Sequence, residues 1–153
     1  GVLDTEMSIS PISMQKEYVY DAKNGSEPDQ YTLVQTVSVQ SNNIDKITNI
    51  SKETQVLINQ GVIFSSFAPE YYYSKLPEVR IALLPEAMKD AQNRATSISK
   101  TTGQKVGSLK SATMGVVQVT QPNSVDISDY GNYDVSTIEK EVMITVRASF
   151  SLK

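Results

Sequence analysis

The chain has 153 residues, of which 39% are hydrophobic and 20% are charged, a composition typical of a globular domain and unlike that of a disordered chain. Its net charge of -3 and its scattered basic residues argue against nucleic acid or an anionic membrane as a partner. The absence of cysteine and histidine excludes disulfides, thiolate nucleophiles, a histidine general base and the usual zinc sites, and the absence of cysteine is compatible with export. No apolar stretch approaches the roughly 20 residues that a membrane span requires.

The N-terminal part is predicted to form a β-hairpin. Met7 and Ile9 alternate with polar residues and indicate a short strand, which Pro11 should confine to a sheet edge or interrupt with a bend. Residues 21–29 contain nearly every turn-forming residue type and predict an exposed connection. Residues 31–40, rich in Tyr, Thr and Val, predict the second strand of the hairpin.

A first helix is predicted over residues 43–60. Its apolar residues recur at helical spacing, Asn42 is placed to cap its N-terminus, and Gly61 follows it where a left-handed C-cap residue is wanted. Residues 62–67 are apolar and lie between Gly61 and a proline, so they predict a strand emerging from the helix.

A second helix is predicted over residues 77–102. Eight residues at alternating spacings of four and three form one apolar stripe along it: Pro77, Ile81, Leu84, Met88, Ala91, Ala95, Ile98 and Thr102. Because the stripe continues across Pro85, we expect one helix kinked at that residue, with two helices breaking there as the alternative. Gly103 is the expected stop.

Two long strands are predicted at the C-terminal end. Residues 141–153 alternate between an apolar face and a mostly polar one, the pattern of a half-buried strand, and residues 109–121 are the expected partner. The alternation of the second segment changes parity around Gly115, which predicts a β-bulge. Residues 122–137 form a long connection rich in Asp, Ser, Asn and Gly, and connections of that length are often functional.

These elements predict an α+β fold. We expect an antiparallel or mixed sheet with the two main helices packed on one face, because an amphipathic helix and a half-buried strand each need an apolar partner. The length is sufficient for a single domain with its own core.

Two segments are candidate sites. Tyr71, Tyr72 and Tyr73 are consecutive, so they form either a connection packed over the core or a binding surface for a flat apolar ligand. Asp126, Asp129 and Asp134 in the long connection offer oxygen ligands of the kind that calcium takes. Their spacing is not that of an EF-hand, and a solvated turn is the alternative interpretation.

Several motifs, in their order and spacing, resemble the SIMPL domain family along nearly the whole chain. The second helix carries AMKDAQNRA at residues 87–95 and runs into GQKVG at residues 103–107. The segments MGVVQV, VDISDYG and STIEK then follow at residues 114–119, 125–131 and 136–140, before the closing strand.

The resemblance implies an α+β protein exported by bacteria, periplasmic or envelope-associated, with no established enzymatic activity. Some members are linked to stress protection and others to host immune recognition. The family has no agreed catalytic residues, so the resemblance assigns no catalytic residue, no enzymatic activity and no cofactor to this chain.

Members of the family normally carry a signal peptide, a first strand and a first helix ahead of the part that matches Leu3. We therefore expect residues 1–153 to be one SIMPL-like domain that is truncated at its N-terminus. An unpaired sheet edge would result, and a second copy of the chain could complete it, which predicts a homo-oligomer. The expected function is a non-enzymatic envelope protein that acts by self-association or by binding a protein partner. A small-ligand binding module and an enzyme of unrecognised type are the alternatives.

Overall fold

The computed structural model describes residues 1–17 and 30–153. The chain falls into two compact units, Gly1–Pro69 and Glu70–Lys153. The α+β class is confirmed, because helices occur together with antiparallel and parallel strand pairs. The predicted connection over residues 21–29 lies outside the described residues, and a single domain over residues 1–153 stays a prediction.

The first unit contains the predicted hairpin, divided into two short ladders. Strand β1 (Met7–Ile9) pairs antiparallel with β4 (Val37–Val39), and β2 (Ser13–Glu17) pairs antiparallel with β3 (Gln30–Val34).

The break between the two ladders falls at Pro11, where the sequence predicts a bend, because proline has no N–H for a ladder bond. Ser10 holds the strands together there: its backbone N–H donates to Thr36 O at 2.9 Å, and its hydroxyl accepts from Thr36 N at 2.9 Å.

The single helix predicted over residues 43–60 is wrong, because the structure has two shorter ones. These are α1 (Ile44–Lys52) and α2 (Gln55–Asn59), and Asn43, rather than Asn42, caps α1 by accepting from Lys46 N at 3.0 Å. At the break, the hydroxyls of Ser51 and Thr54 each donate to a backbone carbonyl three residues earlier. Such local bonds compete with the helical ladder.

The strand predicted over residues 62–67 is also wrong. This segment has no regular structure, and the side chains of Ile63 and Phe67 are exposed. Gly61 does have the expected left-handed conformation, with φ of 81°. A strand needs a neighbouring strand to bond with, and no described strand pairs with this segment. Its apolar residues alone were therefore an insufficient signal.

In the second unit, α3 (Leu76–Thr101) is one continuous helix through Pro85, which overturns the alternative of two helices. The predicted stripe is only partly right. Leu84, Met88, Ala91 and Ala95 are partly buried, whereas Pro77, Ile81, Ile98 and Thr102 are exposed, Ile81 to 70%.

The shielded face of α3 contains a row of residues spaced four apart instead: Val79, Leu83, Ala87, Ala91, Ala95 and Ser99. A row with this spacing is inclined to the helix axis. Because the sheet is twisted, the part of the helix that it shields from solvent is inclined in the same way.

Helix α3 packs on a three-stranded sheet of order β6-β5-β7. Strand β5 (Val106–Thr120) pairs antiparallel with β7 (Glu141–Leu152), and β6 (Asn132–Tyr133) pairs parallel with β5. The sheet is therefore mixed. Helices α1 and α3 belong to different units, so the packing of both on one sheet face stays a prediction.

The predicted bulge is confirmed, because the register between β5 and β7 shifts between Met114 and Val117, on either side of Gly115. Two further shifts, unseen in the sequence, flank Leu109. On β7 the apolar residues from Val142 to Phe150 are partly buried in strict alternation, but Leu152 is exposed, contrary to expectation.

Candidate functional site

The tyrosine segment lies against β6 and the residues that follow it. Tyr71 N donates to Val135 O at 2.8 Å, and Tyr73 N donates to the hydroxyl of Tyr133 at 2.8 Å. The ring centroids of Tyr72 and Tyr133 are 6.0 Å apart, a separation typical of an aromatic pair. The segment is thus a docked connection, and the rings of Tyr72 and Tyr73 remain exposed.

Asp134 organises the turn beneath this segment. Its carboxylate accepts from Ser136 N at 3.1 Å, from Ser136 Oγ at 2.6 Å, from Thr137 N at 3.2 Å and from the Thr137 hydroxyl. The hydrogen bond from the Ser136 side chain, followed by that from Thr137, holds the pKa of Asp134 well below its usual range. The carboxylate is therefore ionised at neutral pH and committed to the turn.

Lys140 closes the same turn. Its side chain is only 5% exposed, and its ammonium donates to Asp134 O at 2.6 Å and to Thr137 O at 2.7 Å. It also lies 3.4 Å from the Asp134 carboxylate and 5.9 Å from the centre of the Tyr133 ring. A lysine buried to this extent needs such partners, so the turn is a fixed support for the tyrosines.

Residues 121–131 form a compact loop that begins at the end of β5 and returns beside it. Gln118, 3% exposed, anchors the loop by donating from Nε2 to Ser128 O at 2.6 Å. Gly131 closes the loop with φ of 89°, where a Cβ would also lie 3.0 Å from Val117 O, so only glycine fits without strain. Tyr130 beside it is 97% exposed.

The three candidate metal ligands are not brought together. Asp134 is engaged in its turn, Asp126 accepts from the hydroxyl of Ser124 at 3.2 Å, and Asp129 is exposed. Within residues 1–17 and 30–153, no group of three or more His, Cys, Asp or Glu side chains is arranged to hold a metal ion. Local turn chemistry, typical of aspartate, accounts for the contacts of Asp126 and Asp134.

A small depression lies beside the tyrosine segment. It has a volume of about 250 Å³ and is lined by Leu76, Val117, Val119, Tyr130, Gly131, Asn132 and Tyr133. Sites for small molecules usually measure about 300 to 1,000 Å³ and enclose most of the ligand. The tyrosine segment therefore offers limited room for the ligand that its sequence suggested.

The outer edge of β7 is the other prominent feature of this unit. In the part of the chain that the structure describes, β7 pairs with β5 alone, and its second edge has no partner strand. Its exposed face carries Glu141, Met143, Thr145 and Arg147, while α3 covers its apolar face. A long unpaired edge of this kind is a template for another strand.

Comparison with known proteins identifies the family but no function. The family model described as "SIMPL: Protein of unknown function (DUF541)" matches residues 1–150. The chain belongs to the SIMPL family. No curated protein and no solved structure matches it. No helix within the described ranges is long and apolar enough to cross a membrane.

Sequence reasoning missed several residues of this SIMPL protein that support its candidate surfaces. Tyr133 contacts the tyrosine segment and Lys140 contacts its supporting turn, but Tyr133 was predicted only as part of the long connection and Lys140 was named only within the STIEK motif. The sequence around STIEK shows no helical or strand periodicity that would have drawn attention to these two residues. The only signal was that an aspartate, two hydroxyl residues and a lysine lie close together, a combination that favours a turn.

Proposed function

We propose that this protein is a non-enzymatic, exported envelope protein that acts by self-association through the outer edge of β7. The observation that carries the proposal is that no described strand pairs with this edge of β7. Family membership and the lack of cysteine and histidine are consistent with it, and a role in stress protection is one that the resemblance suggests. The edge is long, because β7 spans 12 residues, and its alternation of apolar and polar side chains suits addition of a strand.

One antiparallel register between two copies pairs opposite charges twice. If Ile144 faces Ile144 of a second copy, then Glu141 faces Arg147 of that copy, and Arg147 faces its Glu141. Neither side chain forms an ion pair with another described residue, and both lie on the exposed face of the strand. Each cross-strand pair of opposite charges stabilises a sheet by about 0.2 to 1 kcal/mol.

The same register also continues the apolar face. In this register Val142 faces Val146 of the second copy, on the side of the sheet that α3 covers. Apolar side chains of the two copies therefore lie next to each other across the interface. A register centred on Arg147 would instead place two guanidinium groups opposite each other, which is destabilising. The charge pattern therefore favours the register centred on Ile144, and the resulting contact is isologous, as in a two-fold dimer.

The test is the solution mass of the chain, measured by light scattering over a range of concentrations. We expect a dimer that Arg147→Glu weakens about 10-fold or more, because both attractive pairs become repulsive. Combining Arg147→Glu with Glu141→Arg should restore the dimer, since the charges are then exchanged. Arg80→Glu, the same charge change on the exposed side of α3, should leave the mass unchanged.

A wild-type chain that stays monomeric at every concentration would refute the proposal. Failure of a double variant that circular dichroism shows to be folded to recover the dimer would refute the Ile144 register. The check of folding is needed because Glu141 also accepts from Asn123 N at 3.3 Å, and its replacement removes that contact with the loop. The proposed location is tested separately: the protein should be released from the source cells by osmotic shock.

A further inference from the structure

A groove of about 490 Å³ separates part of α3 from the strands beneath it. Half of its eight lining residues are apolar: Pro85 and Met88 of the helix, and Leu109 and Phe150 of β5 and β7. Leu109 is 49% exposed, although its position opposite Phe150 puts it on the face that α3 covers. The volume falls within the range of small-molecule sites, and the groove is partly open to solvent.

Features of the two walls explain why the helix and the sheet do not close on each other. The register shifts on both sides of Leu109 add two residues to β5 within a short stretch, since Val106 to Ser111 faces only Leu152 to Ser149. Bulges bend a strand and increase its twist, so β5 bends locally beneath the helix. Opposite this bend, α3 presents Pro85, whose ring replaces a backbone N–H donor and disturbs the helix at the same level.

The rim of the groove is polar and carries one positive charge. Lys89, Gln92 and Ser108 contribute to its lining, and the first two follow Pro85 by four and seven residues, on the same side of the helix. No described residue forms an ion pair with Lys89. An apolar cleft therefore opens beside an ammonium group and an amide, both of which can donate hydrogen bonds to an anion. The Ser108 hydroxyl lies 3.2 Å from the Ser151 hydroxyl.

We propose that this groove binds an amphipathic carboxylic acid, with its apolar body between Met88, Leu109 and Phe150 and its carboxylate at Lys89. Burying the apolar body removes the exposed surface of Leu109 from water, which is the main driving force. Lys89 fixes the orientation and the preference for an anion. The site lies between α3 and the sheet rather than at the outer edge of β7, so it does not depend on self-association.

Isothermal titration with decanoate tests the site, with decanol as the uncharged comparison. We expect the wild-type chain to bind decanoate more tightly than decanol. Lys89→Gln should weaken decanoate binding about 2- to 5-fold, the effect of one partly exposed ion pair, and leave decanol binding unchanged. Lys100→Gln is the matched control, because this lysine belongs to the same helix but does not line the groove, and it should leave both affinities unchanged.

A second variant addresses the apolar body of the ligand. Leu109→Trp should fill the groove and abolish binding of both molecules, and the half-exposed position can accept a larger side chain without overpacking a closed core. The proposal is overturned if decanoate does not bind, if decanol binds equally well, or if Lys89→Gln and Lys100→Gln have the same effect. It is also overturned if a folded Leu109→Trp protein, checked by circular dichroism, still binds decanoate.

Discussion

A single carboxylate, Glu6, joins three segments of the first unit. It accepts from Lys46 Nζ at 2.5 Å, from Ser41 Oγ at 2.5 Å and from Leu3 N at 3.2 Å. These contacts lower the pKa of Glu6 from 4.5 to about 2. The hydrogen bond from Lys46 contributes most, followed by the one from Ser41. Glu6 thereby ties the start of β1 to the first turn of α1.

This contact predicts an acid-sensitive contribution to stability. Because the pKa of Glu6 is lowered in the folded chain, its contribution is complete above the unfolded value near 4.5 and is lost as pH falls towards 2. In urea unfolding, Glu6→Gln should be less stable than wild type at pH 7, and the difference should shrink between pH 4.5 and 2. Glu53→Gln, an exposed change in the same unit, should show little difference. A difference for Glu6→Gln that does not vary with pH would contradict the assignment.

At the scale of one residue, the sequence indicates conformation better than long-range contact. Gly61 and Gly115 were identified correctly because a C-cap and a change of parity are local signals. The pairing of Glu6 with Lys46 joins residues far apart in the sequence, and no periodicity connects them. The cap is Asn43 rather than Asn42. The sequence could not decide between them, because two adjacent asparagines have the same N-cap propensity and only the backbone conformation distinguishes them.

At the scale of an element, α3 contains a proline that its packing must tolerate. Pro85 lacks the N–H that would bond to the Ile81 carbonyl, and a proline inside a helix costs about 3 kcal/mol relative to alanine. We therefore expect Pro85→Ala to increase the free energy of unfolding by about 1 to 3 kcal/mol. Pro77→Ala is the matched control, since Pro77 lies in the first turn, where no intrahelical N–H is needed, and its effect should stay within about 0.5 kcal/mol.

Chemical denaturation of both variants and the wild type provides the comparison. A Pro85→Ala protein that is no more stable than wild type would mean that the bulged part of β5 requires a distorted helix opposite it. The groove between them would then be a stabilised feature of the fold rather than a by-product of the proline.

The errors at this scale have physical causes. The stripe of α3 was misplaced because adjacent leucines, Leu83 and Leu84, fit two different rows, and only the sheet selects between them. At the break after α1, the hydroxyls of Ser51 and Thr54 hydrogen-bond to backbone carbonyls and compete with the helical ladder. The sequence did not reveal the break, because the apolar residues keep their helical spacing across it. By contrast, β7 was predicted almost to the residue, because an apolar residue at every second position indicates both its length and its buried face.

At the scale of the whole molecule, the sequence predicted the α+β class but not the sites. The tyrosines and aspartates were conspicuous in the sequence, yet they serve largely to fix a loop and its supporting turn. The two surfaces that carry our proposals depend on tertiary pairing. The resemblance led us to expect an unpaired sheet edge, but not that it belongs to β7 among the described strands, and nothing in the sequence indicated the groove beside the bulges. Single-residue patterns do not contain that information.

The division into Gly1–Pro69 and Glu70–Lys153 predicts where, among the described residues, a protease cuts first. Residues 62–69 have no regular structure, and Phe67 is 87% exposed, so brief chymotrypsin treatment should cleave after Phe67. Tyr130 is more exposed than Phe67, but its loop is anchored through Gln118 and Gly131, and cleavage there should be slower. Phe67→Ser should delay the first cut, whereas Tyr130→Ser should not.

The C-terminal fragment should keep its helical circular dichroism after purification, because α3 and the three strands of its sheet all lie within it. Such a result would mean that the second unit folds by itself and that the outer edge of β7 and the groove can be studied on it alone. A fragment that unfolds once released would show instead that residues 1–153 fold as one cooperative domain, as the sequence predicts. Mass spectrometry of the first products and far-ultraviolet spectra of the isolated fragment distinguish the two outcomes.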